Sequence, residues 1–207
     1  MGRVLPILFN TDMVLAVLEG RKTSTRRTIN VDKVREVLES PARIGNPGIT
    51  DKEFIKFLIN QPCEPGDILY VRETWSEWTD GYVYKAWPGP FPQAGCYPST
   101  TWHPSIHMPK EAARIFLKVT DVCVEQIQDM KYDDAVREGI HFCKCPDGFT
   151  WKPDTDIGNC YTTPLGAMQA LWDTTVRKPD LKYYGWDADP WVWAIGFERC
   201  EKPGGII

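Results

Sequence analysis

Residues 4–27 read VLPILFNTDMVLAVLEGRKTSTRR. Val4 to Phe9 is a short apolar run bounded by polar residues, the pattern of a first strand. Thr11 is placed to cap a helix whose apolar stripe, Val14, Val17 and Leu18, recurs at helical spacing. Gly20 stands where a helix ends on a left-handed residue. The chain then enters a polar, basic turn, Arg21 to Arg27, with three arginines, a lysine, two threonines and a serine in seven positions. A strand, a short helix and a basic turn in so few residues predict a mixed α+β domain.

The rest of the chain continues in short elements. Val34, Val37 and Leu38 share one helical face, and Thr50 with Glu53 forms a capping box ahead of Phe54, Phe57 and Leu58. Pro41, Pro47 and Gly48 separate these two helices. Pro65-Gly66-Asp67 is a turn, Ile68 to Arg72 a strand and Tyr82 to Ala86 another. Trp87 to Pro109, rich in Pro, Gly and aromatics, reads as a long packed loop. Ile115 to Val122 alternates as a strand, and Met130 to Glu138 is a short helix stopped by Gly139. Residues 141–163 read as loop. Thr163-Pro164 starts a helix with a capping hydroxyl and proline at the first position, and Leu165, Met168, Leu171 and Trp172 form its buried face. Trp191, Trp193, Ile195 and Phe197 alternate over a final strand. About five short strands interleaved with helices suit a small barrel decorated by helices. Pattern alone does not separate that barrel from an open α+β sheet.

The 207 residues suit one large domain or a core domain with insertions. A chain this long buries roughly 70% of its unfolded surface and folds without staples. The net charge is -4, whereas a protein that coats duplexes neutralises many phosphates and is basic. Contact with nucleic acid must therefore come from a local patch or from reading a single base. No run of about 18 apolar residues is present, so no membrane-spanning helix is expected. Met1 to Phe9 is too short and too lightly charged for a signal peptide, and Pro6 stands where a myristoylation motif after Gly2 wants Ser or Thr. A cytoplasmic location is expected, and the seven cysteines are expected as reduced thiols. Cys143, Cys145 and Cys160, with His141 nearby, raise the question of zinc. The first pair has one intervening residue where structural sites use two to four, so neither metal nor cofactor is expected.

Four segments then become specific together: GRKTSTRR at residues 20–27, GDILYVRETW at 66–75, WHPSIHMP at 102–109 and WDADPWVW at 186–193. This ordered set resembles the ASCH domain family, in the long form carried by bacteriophages and prophages. The resemblance implies an α+β fold, a PUA-like small β-barrel of about five or six strands decorated by helices and loop insertions. Residues 1–207 would form a single domain with insertions at 31–62 and 141–163, and its partner would be RNA or a modified nucleoside. Small bacterial members are amidohydrolases that remove the acetyl group from acetylcytidine. Their catalytic Lys and Thr lie in the same basic turn and fall on Lys22 and Thr25. Their catalytic Glu, near the end of a short helix after a middle strand, falls on Glu138 in Asp134-Ala135-Val136-Arg137-Glu138. An arginine of those enzymes falls on Arg27.

These residue types suit the chemistry. A threonine hydroxyl is a poor nucleophile until a base takes its proton. Lysine serves as that base only when neutral, which requires desolvation to lower its pKa by roughly 2–3 units. If Lys22 stays charged, it stabilises a developing oxyanion instead. Arg21, Arg26 and Arg27 form a positive patch whose guanidinium groups suit phosphate; the plainer reading is a solvated basic turn. Arg72 and Glu73 end a strand beside Trp75, on the edge that borders the cleft in the family, and a structural ion pair there is the competing reading. Trp75 and Trp102 have faces on which a base can stack, and Ser105 and His107 lie in a loop that can line a pocket. Three functions remain open: an amidohydrolase of acylated pyrimidine nucleosides, a non-catalytic RNA-binding module, and a ribonuclease-like activity. Fold does not choose among them.

Overall fold

The computed structural model describes residues 2–78, 81–87, 101–145, 148–153 and 161–204. The N-terminal apolar run forms β1 (Val4–Leu8) and leads into α1 (Thr11–Leu18). The helix is capped one residue earlier than expected. Asn10, in extended conformation, accepts the Met13 amide at 2.8 Å, which satisfies one of the donors a helix start leaves open. Gly20 ends α1 at φ 75°, and the amides of Arg21 and Lys22 turn back onto the Ala16 carbonyl at 2.8 and 3.0 Å.

The basic segment then departs from the expected turn. Ser24–Thr28 is a strand, β2. After it come three helices, α2 (Val31–Leu38), α3 (Pro41–Ile44) and α4 (Asp51–Leu58), then β3 (Ile68–Arg72), β4 (Trp75–Trp78) and β5 (Gly81–Tyr84). Two single 3-10 turns, Ser105–His107 and Lys110–Ala112, precede β6 (Phe116–Gln126) and α5 (Tyr132–Arg137). Then come β7 (His141–Cys145), β8 (Gly148–Lys152), α6 (Pro164–Thr175), α7 (Leu181–Tyr184) and β9 (Trp191–Cys200), with further 3-10 turns at Ile127–Asp129, Lys178–Asp180 and Trp186–Ala188. The capping box of Thr50 and Glu53 and the Thr163-Pro164 helix start both form as read. Two further expectations differ. Residues 141–163 contain the β7–β8 hairpin rather than loop alone. On α4 the buried residues are Phe54 and Ile55, while Phe57 is 86% exposed and Leu58 is exposed too.

Five strands make one mixed sheet in the order β1-β3-β6-β9-β2. β1 runs parallel to β3, and the other neighbours are antiparallel. The α+β class and the helix-decorated sheet of about five strands are therefore as expected. The sheet is not closed: among the described residues no backbone pairing joins the edge strands β1 and β2. A side chain bridges that seam instead. Arg27 on β2 donates from Nη2 to the Leu8 carbonyl on β1 at 3.1 Å and from Nη1 to the Arg26 carbonyl at 3.0 Å.

Both faces of the sheet are covered. On one, Trp193, Ile195 and Phe197 join Val14 and Val17 of α1, Val34 of α2 and Ile55 of α4. The helices of residues 31–62 thus contribute to the main core. On the other face, Val192 joins Ala135 of α5 with Ala167, Met168 and Trp172 of α6. This explains why β9 is buried at four successive residues, Val192 to Ile195, in place of the expected alternation: a strand covered on both sides is continuously buried. A third cluster, Trp75, Met108, Ala112, Ala113 and Phe116, fixes the turns at residues 105–112. No helix among the described residues is long and apolar enough to cross a membrane.

Candidate functional site

Lys22 and Glu138 meet because two helices end side by side. The α1 stop at Gly20 throws the chain toward the C-terminus of α5, where the Thr23 amide donates to the Arg137 carbonyl at 2.8 Å. Glu138 caps α5 and Gly139 follows at φ 107°. A Cβ on Gly139 would lie 3.2 Å from the Ala16 Cβ and 3.6 Å from the Lys22 Cβ. The glycine therefore supplies both the left-handed turn and the close approach.

The Lys22 ammonium donates to Oε2 of Glu138 at 2.6 Å and to the Glu138 main-chain carbonyl at 2.9 Å. Oε1 of the same carboxylate accepts from Nη1 of Arg26 at 3.1 Å. Arg26 also donates from Nε to Glu125 on β6 at 2.7 Å. Lys22, Arg26 and Glu138 are all buried. Thr25, also buried, accepts from Nη1 of Arg27 at 2.9 Å. A hydroxyl that accepts from a guanidinium keeps its own proton to give. The rings add weak support, with the Lys22 Nζ and the Arg27 guanidinium over Phe9 at 5.8 and 5.7 Å.

Burial pushes the Lys22 ammonium below its ordinary value, against the opposing pull of Glu138 and with help from the charges of Arg27 and Arg26. Arginine holds its proton in any protein environment. In a group of three cations and two carboxylates, Lys22 is thus the cation that can discharge.

All of these but Glu125 line one open cleft. Lys22, Thr25, Arg26, Arg27 and Glu138 form its polar end. Thr25, Arg26 and Arg27 are consecutive on β2 and point alternately to opposite faces, yet all three reach the cleft because it lies at the edge of that strand away from β9, which no other strand pairs among the described residues. Asn10, Asp12 and Met13 of the α1 start form one wall. Met168, Leu171, Trp172 and Thr175 of α6 form the apolar one. A mostly apolar cleft with a few convergent polar groups is the usual form of a small-molecule site.

The other anticipated residues go elsewhere. Arg21 pairs with Glu19 at 2.7 Å and donates to the Gly139 carbonyl at 2.9 Å, just outside the cleft. Arg72 donates to the carbonyls of Met108, at 2.9 Å, and Ile106. Glu73 is held by both arms of Arg114 at 2.8 Å. Trp75 packs against His103 and Tyr82 at 4.9 and 5.5 Å between centroids. The Ser105 carbonyl accepts the Met108 amide. None of Arg72, Glu73, Trp75 and Ser105 lines the cleft. Of the cysteines in the metal question, Cys160 lies outside the described residues and Cys145 is described in its backbone alone.

Sequence reasoning missed Glu125, Asn10 and Asp12. It read Met168, Leu171 and Trp172 correctly as the inward face of a helix without a hint that the face borders a cleft. Asp12 carries only an N-terminal acidic signal, common to most helices, and Glu125 carries none.

No family model matches the sequence, and no curated protein matches it. Among solved structures the chain is similar to the ASCH domain from Lactobacillus crispatus JV V101, at 13% identity and a TM-score of 0.42, over 95% of this chain and 79% of that one.

Proposed function

We propose that the cleft binds a nucleoside, free or as a base extruded from RNA, and hydrolyses the amide of an N-acylated pyrimidine such as acetylcytidine. The observation that carries this reading is the buried Lys22–Glu138 pair, 2.6 Å apart, in one cleft with the Thr25 hydroxyl. Neutral Lys22 takes the Thr25 proton as Oγ1 attacks the amide carbonyl carbon. The tetrahedral intermediate collapses, the carbon–nitrogen bond breaks, and the exocyclic nitrogen leaves with the proton that Lys22 returns. Water then attacks the acyl-threonine ester, its proton passing to Lys22; as the carbon–oxygen bond to Thr25 breaks, Lys22 returns that proton to Oγ1 and the acid is released. Glu138 orients the lysine through both steps. Arg27, already bonded to Thr25, is placed to favour negative charge on that oxygen. The apolar wall of Met168, Leu171 and Trp172 accepts the flat face of the base.

The test is incubation of the purified protein with acetylcytidine and detection of cytidine and acetate by mass spectrometry. Lys22→Ala should lower turnover by roughly 100-fold or more with the thermal transition retained; unchanged turnover removes the assignment. RNA retained without product would favour the non-catalytic binding module. RNA shortened in a Glu138-dependent way would favour the ribonuclease-like reading.

A further inference from the structure

Glu125 owes its position to a break in β6. Up to Val119 the strand pairs with β9 in one register, Val119 opposite Phe197; beyond it the register shifts, with Asp121 opposite Gly196 and Glu125 opposite Val192. Thr120 is the extra residue of a β-bulge. Without it, Glu125 would stand opposite Trp191, on the face that carries Trp193, Ile195 and Phe197 into the main core. With it, Glu125 lies on the same face as Ala194, which stands between Cys123 on β6 and Arg26 on β2. The bulge thus re-aims one carboxylate from an apolar core to a buried guanidinium, a known use of such insertions. Gly196 makes room for it, since a Cβ there would lie 3.0 Å from Thr120 Oγ1.

A continuous chain follows. Glu125 takes Nε of Arg26, Arg26 gives Nη1 to one oxygen of Glu138, and the other oxygen takes Lys22. Each carboxylate oxygen of Glu138 is therefore assigned to one cation. Freed from Glu125, Arg26 would lean its whole charge on Glu138 and draw that carboxylate away from Lys22.

We propose that Glu125 is a positioning residue for Lys22, acting through Arg26 to hold Glu138 turned toward the lysine. This rests on the amidohydrolase reading for its catalytic meaning, although the linkage itself does not. The charged groups around the chain are few. Lys22 faces Glu138 of α5, Arg26 and Arg27 of β2 and, across the cleft, Asp12 of α1. Arg26 faces Glu125 of β6 and Glu138 of α5, with Asp134 at 3.9 Å. Asp121, Cys123 and Arg137 share the hollow on its far side.

The experiment is an NMR titration of the Lys22 side-chain amine in lysine-labelled protein, assigned with Lys22→Arg and run without substrate. In Glu125→Gln the midpoint should fall by about one unit, and Glu125→Asp, which keeps the charge, should recover most of it. The acid limb of the acetylcytidine pH profile should move to lower pH by the same amount. A midpoint within about 0.2 unit of wild type in Glu125→Gln overturns the proposal, even if that variant melts earlier, because lost packing alone leaves the lysine's charge balance in place. If Glu125→Gln fails to fold, Arg26→Lys serves instead: a Lys22 midpoint unmoved there has the same meaning. A midpoint that moves in a protein that releases no cytidine upholds the linkage and sinks only the amidohydrolase reading.

Discussion

Glu138 holds Lys22 twice, through a side-chain oxygen at 2.6 Å and through its own main-chain carbonyl at 2.9 Å. The second bond places the ammonium at the C-terminus of α5, where orphan carbonyls favour positive charge. The lysine is thus tethered to the end of α5 by a main-chain bond in addition to its ion pair.

Lys22 makes stability depend on pH with a definite sign. Its folded value is lowered by burial from an ordinary 10.5, so just below 10.5 the unfolded chain binds more protons than the folded one. Stability from this group is therefore present above that value and is lost as pH falls through the window beneath it. Between pH 8 and 10, the melting temperature of wild type minus that of Lys22→Met should rise with pH. A flat or falling difference would contradict a lysine desolvated at a net cost.

Gly139→Ala tests the helix junction. The φ of 107° and the 3.2 Å approach to Ala16 together should cost about 2 kcal/mol. For a domain of this size that is a fall of roughly 4–8 °C in Tm. Because the strain falls between Glu138 and the α1 end, turnover should drop more than the melting temperature alone explains. Gly20→Ala, at φ 75° with open space around it, should cost about half as much.

Arg114→Met separates scaffold from site. It would leave Glu73, 1% exposed, as a buried carboxylate without its ion-pair partner, at a cost of about 3 kcal/mol near neutral pH. Burial already raises the Glu73 pKa against the pull of Arg114, so the folded variant binds the extra proton. Its stability should fall as pH rises through and above the ordinary carboxylate range. Glu73→Gln in the same background should recover most of the loss. Acetylcytidine turnover per folded molecule should be unchanged, since neither residue lines the cleft.

Arg27→Lys probes the seam. One lysine amine cannot serve Thr25 Oγ1 and the carbonyls of Arg26 and Leu8 with the geometry of a planar fork. Hydrogen exchange should quicken in β1 and β2 while the centre of β9 stays protected, and turnover should fall by roughly 10-fold or more. Equal protection at both edges would show that the guanidinium does not hold them.

Much of this was legible because local chemistry and tertiary structure agreed. Gly20 stops α1, Thr50 and Glu53 box the start of α4, and Thr163-Pro164 opens α6. Each signal is complete within a few residues. The failures share the opposite property. Ser24–Thr28 has no apolar alternation and becomes a strand because β9 offers a ladder to it. Glu125 is one acid among many until a bulge five residues earlier turns it. Phe57 sits at core spacing on α4 but on the side away from the sheet, since the helix turns Phe54 and Ile55 inward. The Lys22–Glu138 meeting was anticipated by resemblance and not by pattern; no periodicity connects residues 22 and 138.

Among the described residues β2 has one hydrogen-bonded neighbour in the sheet, β9, with Ser24 opposite Gly196 and Thr28 opposite Val192. During synthesis Thr25 and both arginines of that strand leave the ribosome well before β9, their partner, has been made. Pairing so remote in sequence is slow to form. The cleft should therefore be among the last features to mature, and a nascent chain stalled before residue 191 would expose β2 as an unpaired basic edge.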